Sequence, residues 1–200
     1  MINKNELIKF YLNKKLSVPQ ISKLICKSEG EINYWIKKYD IKKRTISEAI
    51  YQKNNPKGDP FKILPFTKNK EIFLDKKFIY GLGLGLYWGE GNKKSKNSVR
   101  LGNSDPKLIL KFIYFLDKIF CINKKKLKFG IQIFTDMGAN KTLNFWKKTL
   151  KVSKKQFYKP VITRSGSIGT YRQKSKYGVL SINFCNTKLQ KIIVEEIGKL

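Results

Sequence analysis

The stretch Phe78-Ile79-Tyr80-Gly81-Leu82-Gly83-Leu84-Gly85-Leu86-Tyr87-Trp88-Gly89-Glu90-Gly91 decides how the rest of the chain is read. Gly81, Gly85 and Gly89 recur every four residues, so on a helix they share one face. Each glycine costs a helix about 1 kcal/mol relative to alanine. A run of them makes sense where two backbones must approach closely, as in small-xxx-small helix pairs. Leu82, Leu84 and Leu86 then cover the other sides. A phosphate-binding loop fits poorly, because the glycines run G-x-G-x-G into Leu, Tyr and Trp and no Walker lysine follows. The segment therefore predicts a helix from about Asp75, closed by Gly91 as a left-handed cap. Glu90 falls in its last turn, at the negative end of the helix dipole. Two such helices side by side bring two carboxylates together, and a divalent cation such as Mg²⁺ relieves that repulsion. The plainer alternative is a core helix that ends in an exposed glutamate.

Downstream, Ser98–Ser104 reads as a strand. Asp105-Pro106 opens a long amphipathic helix to about Phe120, with Leu108, Phe112, Phe115, Leu116 and Ile119 on one face. Lys126–Phe134 alternates as a strand does, Thr142–Leu150 is helical, and Gln156–Thr163 and Tyr177–Phe184 read as two further strands. A basic Gly/Ser-rich loop, Arg164 to Lys176, joins that pair, and Asn186-Thr187 caps a final helix. The whole is an α+β domain over 75–200.

Upstream, residues 1–50 read as short helices. Ser17-Val18-Pro19-Gln20 and Ser28-Glu29-Gly30-Glu31 are two capping-box patterns separated by a tight turn. That is the helix-turn-helix arrangement, whose second helix is placed for the major groove. Asn33, Tyr34, Lys37, Lys38 and Arg44 are its candidate DNA contacts, although Glu29 and Glu31 repel phosphate. Residues 51–74, with three prolines, read as a linker.

The chain has 200 residues and a formal net charge of +29, from 43 Lys+Arg against 14 Asp+Glu. Codon bias toward lysine would raise glutamate too, so it does not account for the missing acids. Between Gly91 and Val194 the only acidic residues are Asp105, Asp117 and Asp136. Such a balance suits a polyanionic partner. There is no histidine, which excludes Cys2His2 fingers and Ser-His-Asp triads. Cys26, Cys121 and Cys185 are widely spaced and read as buried free thiols in a reducing compartment. The longest apolar run is too short to span a bilayer, and the polar N-terminus carries no secretory signal, so the expectation is a cytoplasmic, nucleoid-associated protein without a membrane partner.

Residues 83–91, Gly-Leu-Gly-Leu-Tyr-Trp-Gly-Glu-Gly, resemble the LAGLIDADG motif of homing endonucleases, with Gly85, Leu86, Glu90 and Gly91 matching. The resemblance implies an αββαββα domain whose saddle-shaped sheet lies in the major groove of double-stranded DNA. It implies motif helices, through Gly81, Gly85 and Gly89, at a homodimer interface, since one motif is present. It also implies that Glu90 binds catalytic Mg²⁺. Lys128 and Gln132 are candidate helpers in phosphodiester hydrolysis, alongside Lys174 and Lys176. Arg100, Gln132, Thr135, Arg164, Arg172 and Lys174 are candidate groove contacts, arginine being suited to guanine. Trp88 stands where the family often has an acidic residue. Some transcription regulators join a similar domain to a helix-turn-helix and do not cut DNA, so a non-cleaving regulator is the alternative. An RNA-binding module is a third, suggested by charge and by Tyr158, Tyr171 and Tyr177.

Overall fold

The computed structural model describes residues 2–62, 70–165 and 175–200. The chain divides into two compact units, Met1–Asp59 and Pro60–Leu200.

The first unit is helical: α1 (Lys4–Ile8) runs on into a wider turn at Lys9–Asn13, followed by α2 (Val18–Ile25), α3 (Glu29–Lys38) and α4 (Ile46–Asn54). The capping residues set these starts. Ser17 and Gln20 make the reciprocal box ahead of α2. Ser28 accepts from the Glu31 amide ahead of α3, while the Glu31 carboxylate turns to Lys27 at 3.5 Å. Cys26, left-handed at φ 52°, ends α2 and makes the tight turn. Leu7, Tyr11, Ile21, Ile32 and Ile36 close a small core.

The second unit contains α5 (Lys70–Glu90), β1 (Val99–Asn103), α6 (Pro106–Phe120), β2 (Lys128–Phe134), α7 (Ala139–Leu150), β3 (Val161–Thr163), β4 (Val179–Phe184) and α8 (Thr187–Ile197). It is a mixed α+β domain on a four-stranded sheet ordered β1-β4-β2-β3, with β2 and β3 parallel and the other pairs antiparallel. The parallel pair needs a long crossover, and α7 supplies it.

Alternation builds two layers. Val99, Leu101, Phe129, Ile131, Ile133, Leu180, Ile182 and Phe184 point inward and are buried with Tyr87, Phe112, Phe115 and Trp146 from the helices. Among the described residues no helix covers the opposite face of the sheet, whose residues are exposed or half-buried.

This order differs from αββαββα. Among the described residues one strand, not two, separates α5 from α6, and α7 intervenes between β2 and β3. A first hairpin is begun, with a bridge from Gly91 to Leu101 and the Asn92 N–H donating to the Arg100 carbonyl at 2.8 Å. It stops because the Asn92 side chain accepts from the Lys94 and Ser95 amides, folding the backbone into a turn.

The reading of 51–74 as a linker also changes at both ends. Helix α4 reaches Asn54 and α5 starts at Lys70. Phe61 is buried against Phe120, and the Lys62 N–H donates to the Phe120 carbonyl at 2.7 Å. The three cysteines are free, as expected, but exposed rather than buried. Cys26 and Cys121 occupy left-handed helix ends, positions that turn the side chain out.

Among the described residues, no helix is long and apolar enough to cross a membrane.

Candidate functional site

The uncovered face of the sheet is built by strand register. Three rows cross it. Arg100, Asn183 and Lys128 stand in the first; Gly102, Ser181 and Gly130 in the second; Val179, Gln132 and Val161 in the third. The middle row carries only hydrogen or CH₂OH side chains, so the face is hollow at its centre. A groove of about 590 Å³ follows this hollow, with Glu90 and Asn92 at one rim and Tyr158 and Lys159 at the other. Its walls mix polar groups and the cations Arg100 and Lys159 with the apolar Val161 and Val179, and Glu90 is the one carboxylate among the described residues that line it.

Glu90 reaches this rim because α5 runs directly into the sheet. The Gly91 N–H donates to the Tyr87 carbonyl at 2.8 Å, and the bridge to Leu101 follows at once. Gly91 is therefore not the left-handed cap expected, since its φ is not positive. Glycine is needed there for space: a Cβ would stand 2.3 Å from the Tyr87 carbonyl oxygen and 2.5 Å from its ring. Tyr87 is itself fully buried, stacked on Phe112, with its hydroxyl donating to the Asn92 carbonyl at 2.9 Å. Burial pushes the Tyr87 phenol pKa upward and keeps it neutral. The carboxylate of Glu90 is exposed, and neither it nor the Arg100 guanidinium makes a hydrogen bond or ion pair with a described residue. The Lys93 ammonium closes the end of α5 by donating to the Trp88 carbonyl.

Other residues on or beside this face have defined supports. Lys128 donates to the Lys155 carbonyl at 3.0 Å. The Gln132 amide donates to the Thr163 hydroxyl at 3.2 Å. Thr135 lies exposed beyond the end of β2; its N–H donates to the Thr163 carbonyl, and its hydroxyl accepts from the Ser165 N–H at 3.1 Å. Arg164 is exposed at the end of β3. Arg172 and Lys174 lie outside the described residues. The structure thus brings Glu90, Arg100 and Gln132 to one groove, with Lys128 in the same register row as Arg100 but outside the groove lining. It adds Ser181, Asn183, Lys159, Val161 and Val179, which the sequence reading did not single out. The signal for Ser181 and Asn183 was present, since they alternate with Leu180, Ile182 and Phe184.

Helix α5 carries its glycines on two faces. Gly81, Gly85 and Gly89 face open space, with nothing within 4 Å of a Cβ built on them. Phe78, 70 % exposed, and Trp88, 57 % exposed, lie along the same side. Gly83 does the opposite, since a Cβ on it would enter the ring of Phe115 at 2.1 Å.

In the first unit, α3 presents Asn33, Tyr34 and Lys37 to a cleft that Lys42 and Lys43 also line. Tyr34 and Lys37 are exposed, and the Lys38 ammonium lies 4.8 Å from the Trp35 ring centre. Arg44 is committed within the unit: it donates to the Lys15 and Leu16 carbonyls and to Gln52, and it packs over Tyr11 at 4.4 Å.

Among the described residues no three Asp, Glu, Cys or His side chains gather as a ready metal site. No family model, curated protein or solved structure matches this chain.

Proposed function

We propose that the chain binds double-stranded DNA with the open face of its sheet in the major groove, and that it is a Mg²⁺-dependent, site-specific endonuclease of LAGLIDADG type acting as a homodimer through α5. The observation that carries this reading is the isolated Glu90 at the rim of a hollow sheet face that also carries Arg100, Lys159, Gln132 and Asn183. Backbone phosphates suit Lys128 and Lys159 at the edges of that face, and base edges suit Arg100, Gln132 and Asn183 nearer its floor.

Mg²⁺ fits the residues present in a limited way. It is commonly held by one or two carboxylates together with phosphate oxygens and waters. Glu90 would be this chain's ligand, and the DNA phosphate and the Glu90 of a second copy would complete the set. When bound, the cation supplies charge neutralisation for hydrolysis of a phosphodiester. The chain's own residues hold and orient the duplex. The open Gly81, Gly85 and Gly89 face, flanked by Phe78 and Trp88, supports a second α5 packed at close range.

A non-cleaving regulator of similar fold is the second reading, favoured by the capped α2–α3 pair with Tyr34, Lys37, Lys42 and Lys43 on its surface. Selection of a bound site from random duplex DNA, followed by incubation with and without Mg²⁺, separates the two. Cleavage that Glu90→Gln abolishes while binding persists supports the nuclease. Tight binding with no cleavage under any divalent ion supports the regulator. A preference for structured RNA over duplex overturns both.

A further inference from the structure

The third row of the open face is chemically unlike the first. Gln132 stands at its centre, exposed, with Val179 and Val161 as its register partners on the two neighbouring strands. Both valines are exposed, Val161 at 62 % and Val179 at 39 %. Nothing described covers these two apolar side chains, so they gain little from folding. Their placement on either side of an amide asks for a ligand that offers hydrogen-bonding atoms beside a methyl group.

The amide is already oriented. Gln132 Nε2 gives one hydrogen to Thr163 Oγ1 at 3.2 Å, and its second hydrogen and the Oε1 lone pairs have no partner among the described residues. One donor beside one acceptor matches N7 and the N6 amino group of adenine. The thymine opposite displays its C5-methyl on the same major-groove edge, so a valine beside the amide meets that methyl.

We infer that the Val179–Gln132–Val161 row is a specificity element that reads an A·T pair, with Gln132 on the adenine, a valine on the thymine methyl, and Thr163 as the residue positioning the amide. The inference rests on the duplex-binding reading above and names what that face selects. Arg100, in the first row, suits guanine. The two rows lie four residues apart along β2, from Lys128 to Gln132. That is roughly 13 Å at the rise of a strand, and Arg100 on β1 stands a further two strands, roughly 10 Å, to the side of Gln132 on β2. Each half-site is then expected to hold a fixed A·T pair several steps from a G·C pair.

The test is selection from random duplex DNA with the full chain, followed by competition binding on the selected site. The native protein should prefer adenine over the other bases at one position per half-site by on the order of tenfold. Gln132→Leu should erase that preference while the guanine preference elsewhere in the half-site is kept. Thr163→Val should weaken the adenine preference in part, and it leaves the amide in place as a check on folding. Replacing the paired thymine by uracil removes only the methyl, and should weaken native binding several-fold but not that of Val161→Ala/Val179→Ala. An adenine preference that survives Gln132→Leu overturns the inference, as does indifference to uracil. Failure of the native chain to bind any duplex would instead refute the reading on which the inference rests.

Discussion

Helix α5 sets the same residue type to opposite uses on its two sides. On the inner side, Gly83 lets the helix lie against the ring of Phe115 and Gly91 lets the chain pass the Tyr87 carbonyl. On the outer side, a Cβ at Gly81, Gly85 or Gly89 would meet no described atom within 4 Å, which leaves a smooth strip between Phe78 and Trp88. The inner glycines are explained by packing that is present. The outer ones lower helix stability without any return inside the chain, and so they point to a second surface. A glycine pattern therefore acquires its meaning from what lies opposite each position, and the two sides should respond differently to the same kind of substitution.

The largest effect is expected at Gly83. Gly83→Val places atoms inside the Phe115 ring, and overpacking of that kind should cost about 3 kcal/mol or more, read as a lowered urea midpoint. An unchanged midpoint would break the contrast at its strongest point. Gly91→Ala should cost about 2 kcal/mol, because the obstructing atom is a backbone carbonyl that cannot swing away. Gly85→Leu should do the reverse. It removes a helix-interior glycine, so the midpoint should hold or rise by up to about 1 kcal/mol, while sedimentation should report a monomer in place of the dimer. An unchanged mass would remove the interface from the outer face.

A smaller effect is expected where α5 meets α8. Tyr80 donates to Glu196 at 2.6 Å, and burial together with that carboxylate pushes its phenol pKa strongly upward from 10. The folded state thus favours the neutral phenol. Its stabilisation is complete below the unfolded value near 10 and declines as pH rises past it. Tyr80→Phe should cost about 1 kcal/mol at neutral pH and soften the loss of stability above pH 10. Glu196 is shifted the other way, held low by Lys199 and Tyr80, so its share is lost as the solution turns acid.

Much of the fold was legible because local chemistry fixes it. Ser17, Ser28, Asp105 and Asn186 each accept an amide hydrogen bond at a helix start, as their positions suggested. The alternation of Lys128–Phe134 and the stripe of Pro106–Phe120 are direct records of a buried face. What was not legible depended on distant partners. The i, i+4 spacing puts Gly81, Gly85 and Gly89 together, but only Phe115 reveals that Gly83 faces the core. Arg44 looks like a contact for phosphate until the Lys15 and Leu16 carbonyls are found beside it. The Gly-Glu-Gly ending suggests a left-handed cap, whereas the ring of Tyr87 determines the second glycine. Val161 and Val179 looked like ordinary strand residues, because one sequence does not say which face of a sheet is left uncovered.

On this reading the open sheet face holds the duplex. The measurement that tests it most directly is the salt dependence of duplex affinity for the native chain and for Lys128→Ala/Lys159→Ala. Each lost phosphate contact should reduce the slope of log affinity against log salt by about one. A slope shallower by about two is expected in that variant, with no comparable change when Lys118, exposed on α6 behind the buried face of the sheet, is replaced by alanine. A slope unaltered by Lys128→Ala/Lys159→Ala, in a chain that still binds DNA, would contradict it.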